Sequence, residues 1–184
     1  MMSTLHRLLR RPIGAEPLTI RDESLADVQA IRDVNRAAFS GDLEADLVER
    51  LRAEGFVIRS RLAIDRGQIV GHILFSPVWI EGSAQPSTLA SLAPMSVLPD
   101  YQRQGIGSAL VVDGIELCRR DGWRGVIVVG WPEYYPRFGF STEVVAHLES
   151  PYAGPAFMGL ELVPGAITEL RGSIRYPPAF PLAS

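Results

Sequence analysis

The chain has 184 residues, 47% apolar and 21% charged, which fits one globular domain with a sizeable core and excludes a disordered or fibrous protein. Its formal net charge of −3 argues against a general nucleic-acid binder, which displays a basic face that releases counterions from phosphate. All eighteen basic residues are Arg, which rules out a pyridoxal-phosphate Schiff base and a P-loop lysine; the single cysteine, Cys118, rules out an internal disulfide and a CxxC motif.

The opening "MMSTLHRLLRRP" carries charge inside its apolar run and has no cleavage site, so it does not read as a secretory signal. No stretch approaches the ~18 apolar residues of a membrane span. A cytoplasmic protein with no membrane or nucleic-acid partner is expected. Residues 1–16, with Arg7, Arg10 and Arg11, read as an N-terminal arm. His6, His72 and His147 are scattered without metal-ligand spacing, and no metal is expected.

The fold should begin at "LTIRD", where Leu18 and Ile20 alternate with polar residues as in a half-buried strand. Ser24 is an N-cap with Asp27 three residues on, and Val28, Ile31, Val34 and Ala38 share one face of a helix reaching about Phe39. Leu43, Leu47 and Leu51 form a second helical stripe, stopped by Gly55. Residues 57–65 and 68–81 are strand-like runs around a hairpin turn at Arg66-Gly67. The next strand, "STLASLAPMSVL", contains Pro94, which lacks a ladder donor and implies a bulge or an unpaired stretch.

Leu110, Val111, Gly114, Leu117 and Cys118 then share one face of a helix ending at Gly122, and "GVIVVGW" (125–131) reads as a buried strand, completing a βαβ unit. "PEYYPRFGF" looks like a short helix opened by Pro132, "PAFMGLELV" like a strand, and "RYPPAFPLAS" is too rich in proline for regular structure. The organisation expected is an arm (1–16), one domain (17–170) and a Pro-rich tail (171–184).

Between the proline-broken strand and the helix lies "QRQGIG", Gln102 to Gly107. A helix starting at such a turn presents unpaired backbone N–H groups and a positive dipole end, both suited to an anion. A dinucleotide fingerprint requires Gly or Ala where Leu110 stands, and the P-loop requires a lysine. Neither fits.

The Q-x-x-G-x-G pattern resembles the acyl-CoA pyrophosphate loop of the GNAT superfamily of N-acetyltransferases. "LAPMSVLPDYQRQGIG" resembles that family's fourth strand running into the loop, and "YYPRFGF" its Y-x-x-x-G-F signature. "GHILFSPV" and "YYPRFGF" are similar to the YhbS-like bacterial branch. The resemblance implies an α/β fold with a mixed sheet of about six or seven strands, about four flanking helices, and splayed fourth and fifth strands.

It further implies acetyl-CoA as co-substrate. Met95, Ser96 and Val97 would line the pantetheine arm, and Gln102, Arg103, Gln104, Gly105, Ile106, Gly107 and Ser108 would cradle the pyrophosphate. Aligned on the signature, Tyr135 is the expected general acid, with Tyr134 as the fallback and a core aromatic otherwise. Glu133 and His72 are candidate general bases, beside a water relay to a more distant carboxylate, and Glu44 is a possible substrate-side group. Cys118 lies on an apolar helix face where a thiol is inert, so direct attack in a ternary complex is favoured over an acyl-cysteine.

The function implied is transfer of an acetyl group to the amine of a small-molecule or peptide acceptor, by a monomer or homodimer. A non-catalytic acyl-CoA-binding or sensing module is the alternative. A nucleic-acid or partner-binding domain using the Arg-rich arm is a third reading, disfavoured by the acidic charge.

Overall fold

A computed structural model of the chain describes residues 17–82 and 88–181. The arm expected over residues 1–16, including His6, lies outside the described residues, as do residues 182–184 of the tail. The elements, in chain order, are β1 (Thr19–Asp22), α1 (Val28–Phe39), α2 (Leu43–Ala53), β2 (Arg59–Asp65), β3 (Gln68–Ile80), β4 (Leu89–Val97), α3 (Ile106–Arg120), β5 (Gly125–Val129), β6 (Phe157–Glu161) and β7 (Ile174–Arg175).

Local chemistry sets these limits. The Ser24 backbone N–H donates to the Asp27 carboxylate at 2.7 Å, and Arg21 holds the same carboxylate, fixing the 3-10 turn that leads into α1. Left-handed Arg66 and Gly67, at φ 48° and 79°, make the expected tight turn between β2 and β3. Gly55 and Gly122, at φ 76° and 86°, follow α2 and α3 as C-terminal stops.

The sheet order is β1-β2-β3-β4-β5-β6, with β7 paired to the far end of β3. Neighbours are antiparallel except β4 and β5, which are parallel and joined through α3 as the βαβ reading requires. Helix α3 packs on one face, where Phe75, Leu92, Leu110, Val126 and Met158 are buried together. On the other face α1 and α2 cover Leu62 and Leu74, and the chain after β5 covers Ile127 and Phe157.

The helix expectations change in detail. Among the described residues there are three α-helices, and the short helix read at "PEYYPRFGF" is a 3-10 turn over Tyr135–Phe138. Pro136 cannot donate the bond that would continue an α-helix, and Gly139, at φ 92°, ends the turn. Among the described residues the proline-rich tail has no regular element after Arg175, as expected, and it packs: Ile174 and Arg175 pair with Ile80 and Trp79, Ala179 is buried beside α1 and α2, and Arg50 donates to the Pro178 carbonyl at 3.0 Å. Proline removes a ladder donor without preventing side-chain burial.

Candidate functional site

Strands β4 and β5 pair only from Leu89 opposite Gly125 to Leu92 opposite Val128. There the ladder stops. Phe75 of β3 faces Leu92 and Ile73 faces Met95, so two residues of β4, Ala93 and Pro94, oppose the single Leu74. That is the bulge Pro94 predicts. Past it, Met95, Ser96 and Val97 stay registered on Ile73, His72 and Gly71, while β5 runs out at Val129. The β5-side edge of three residues is left open in the middle of the sheet, offering main-chain groups to an extended ligand.

The chain then turns through Pro99–Tyr101 into α3. Arg103 and Gly105 are left-handed, at φ 60° and 87°, and no side chain caps the helix at Gly105. The first-turn N–H groups therefore lack an intrahelical partner and a side-chain one, beside the positive end of a 15-residue helix. Gln102 donates to the Val97 carbonyl at 3.0 Å and Gln104 to the Asp100 carbonyl at 2.9 Å, which pins the loop to the end of β4. Arg103 is exposed and able to add charge. The result is an anion cradle directly continuous with the open strand edge.

Three elements converge on Gly107. A Cβ there would lie 3.0 Å from the Tyr134 hydroxyl and 3.1 Å from the Met95 sulfur. The Tyr134 hydroxyl sits 3.3 Å from Ser108 Oγ, and its backbone N–H donates to the Trp131 carbonyl at 2.9 Å. Arg137 stacks over the ring at 4.5 Å and donates to the Tyr134 carbonyl, locking the turn. Burial raises the Tyr134 pKa, opposed by the Ser108 hydrogen bond and by Arg137. The phenol is thus fully protonated at neutral pH.

Tyr135 is placed differently. Only 7% exposed, it packs edge-on to Phe140 at 5.6 Å, and its ring fills the space where a Cβ on Gly130 would fall, 2.2 Å away. Burial pushes its pKa well above the ordinary phenol value. The expected division between the tyrosines is reversed in position: Tyr135 is the core aromatic and Tyr134 reaches the loop.

His72 lies on the opposite face of the sheet from Met95 and is completely buried. Asn35 Nδ2, which also donates to the Ile31 carbonyl, reaches Nδ1 at 3.1 Å, so Nδ1 accepts and Nε2 carries the proton. Nε2 then donates to Ser60 Oγ at 2.9 Å, and Ser60 donates to Glu23, which Arg52 also holds. Burial lowers the imidazole pKa to about 4. The structure does not bring His72 to the gap; Glu133 is exposed, one residue before Tyr134, and Glu44 lies on α2. No sequence pattern links Asn35, Ser60 and Glu23 to His72, because their meeting depends on how α1 lies on the sheet.

Among the described residues no group of three metal-ligating side chains comes together, and no helix is long and apolar enough to cross a membrane.

A split parallel strand pair feeding a glycine turn and an uncapped helix is an acyltransferase arrangement. The profile of the Acetyltransferase (GNAT) family matches residues 27–149, and the chain belongs to that family. It is 33% identical over 164 residues to the N-acetyltransferase YhbS of Escherichia coli (strain K12), itself uncharacterized, covering 86% of this chain and 96% of the relative. The crystal structure of Escherichia coli YhbS in complex with CoA superposes with a TM-score of 0.83 at 31% identity, over 92% of this chain and 94% of that one. A GNAT acetyltransferase from Brucella melitensis in complex with acetyl-CoA gives 0.76 at 34% identity, over 90% and 99%. The family and the fold read from "QRQGIG" and "YYPRFGF" are borne out, and the protein is an acetyltransferase.

Proposed function

We propose that the protein transfers the acetyl group of acetyl-CoA to a primary amine by direct attack in a ternary complex. The observation carrying this is the convergence at Gly107 of the anion cradle, the open edge of β4 and the Tyr134 hydroxyl. The pyrophosphate binds the N–H groups from Arg103 to Ser108, and the pantetheine arm runs along Met95, Ser96 and Val97. CoA and acetyl-CoA in the two similar structures support this choice of donor.

The amine nitrogen attacks the thioester carbonyl, an N–C bond forms and the C–S bond breaks. The departing thiolate takes a proton, and the amine, with a pKa near ~10 as ammonium, must give up two in becoming a neutral amide. One proton is released overall. Tyr134 donates to the thiolate, and Glu133 with solvent receives the amine's protons. His72, enclosed on both ring nitrogens, has a structural role. Cys118 is buried, with its thiol pKa pushed up to about 12 by that burial, which leaves it unsuited to carry an acyl group.

Release of free CoA thiol from acetyl-CoA, followed with a panel of amines and with mass detection of the acetylated product, tests the reading. Amine-dependent thiol release is expected. Stoichiometric acetyl-CoA binding without turnover on any amine would instead support the sensing module.

A further inference from the structure

On the face of the sheet opposite α3, an apolar recess borders the same gap. Val126 and Val128 pack toward α3 and Ile127 away from it, so alternation along the strand places Val129 on the far side with Ile127. Val129 is registered opposite Phe157 of β6, and residues paired across an antiparallel ladder share a face. Phe157 is covered by Val145 and Leu148, but Val129 remains 45% exposed and Trp131, two residues on, 79% exposed.

Beside them Val145, Leu148, Ala153 and Phe157 line a cleft of about 180 Å³. Across the gap, α1 covers β3 and β4, where Asn35 meets His72, the partner of Ser96. The sheet order therefore makes Val129 an uncovered floor between α1 and the 142–157 segment, at the point where β4 and β5 part.

Resting on the reading above, we propose that the acceptor is a primary amine carried on a branched or aromatic hydrocarbon group. That group enters the Val145–Leu148–Phe157 cleft, crosses Val129 and is flanked by the Trp131 indole, with the amine directed into the gap. The cleft is smaller than the roughly 300–1,000 Å³ of a site that encloses a whole ligand, so it takes one side-chain-sized group. No carboxylate lines it among the described residues, so nothing there compensates a second ammonium. That lining favours a single ammonium over a polyamine.

The test measures kcat/KM with acetyl-CoA for 2-phenylethylamine and leucine amide against ethanolamine and spermidine. The apolar amines should exceed the hydrophilic ones by about 10-fold or more, the factor that burying one apolar side chain supplies. Trp131→Ala and Ala153→Phe, both at exposed positions, should each raise KM for 2-phenylethylamine several-fold with the CoA dissociation constant unchanged. Preference for ethanolamine or spermidine, or an unchanged KM in both variants, overturns the acceptor class while leaving acetyl transfer standing. No turnover with any amine overturns both.

Discussion

The hydroxyl of Tyr134 lies 3.3 Å from Oγ of Ser108, in the first turn of α3, which ties the turn after β5 to the start of the glycine-loop helix. Tyr135 sits beside it, ring centroids 5.1 Å apart, but faces the core. The two tyrosines therefore separate by experiment. Tyr134→Phe should lower kcat by ~100-fold, the usual worth of general acid catalysis, with CoA affinity nearly unchanged. Tyr135→Phe should leave kcat within a few-fold. Equal losses in both variants, or none in Tyr134→Phe, would remove Tyr134 from the proton-donor role.

His72 gives the fold a pH dependence whose sign follows from its pKa, lowered by burial from 6.5 to about 4. As pH falls below the ordinary imidazole value the unfolded chain takes up a proton that the folded protein refuses. The stabilisation is fully present above pH 6.5 and is lost as the pH falls toward 4. The slope approaches ~1.4 kcal/mol per pH unit and the total is about 3 kcal/mol. Glu23 acts in the same direction at lower pH: burial opposes its ionisation, but hydrogen bonds from Arg52 and Ser60 outweigh it and lower its pKa. Urea unfolding between pH 7 and 4.5 should show this decline, flattened in His72→Gln. Parallel profiles for the two proteins would contradict it.

Gly114 is where α3 meets the sheet most closely, since a Cβ there would fall 2.3 Å from Cε2 of the fully buried Phe75. Overpacking costs about 1–3 kcal/mol, more than the ~1 kcal/mol that Ala gains over Gly in a helix. Gly114→Ala should therefore lower Tm by several degrees, and Phe75→Leu in the same chain should recover part of the loss. An alanine variant as stable as the native protein would show that the ring moves aside freely.

Much of this was legible in the sequence because the signals are local. Pro94 cannot donate within a ladder, and the bulge at Ala93–Pro94 is where β4 leaves β5. Gly105 before an apolar helical stripe fixed the start of α3. That Tyr135 is the ring turned inward was not legible, because its placement depends on Gly130 and Phe140, brought together only by the fold. His72 looked available for catalysis for the same reason: nothing in "GHILF" discloses that Asn35 and Ser60 close over it. The tail's prolines rightly excluded regular structure after Arg175 but said nothing of the burial of Ala179, which depends on where α1 and α2 lie.

The turn from Arg103 to Ser108 is the proposed seat of the acetyl-CoA pyrophosphate. Calorimetric titration of the native protein and of Gly107→Glu with CoA tests it most directly, with thermal melts confirming that both are folded. A Glu at this position would crowd the Tyr134 hydroxyl and the Met95 sulfur and set a negative charge in the anion cradle. Saturable one-to-one binding by the native protein, abolished in the folded variant, is the result predicted. Equal binding by both, or none by the native protein, would show that the pyrophosphate does not bind this turn.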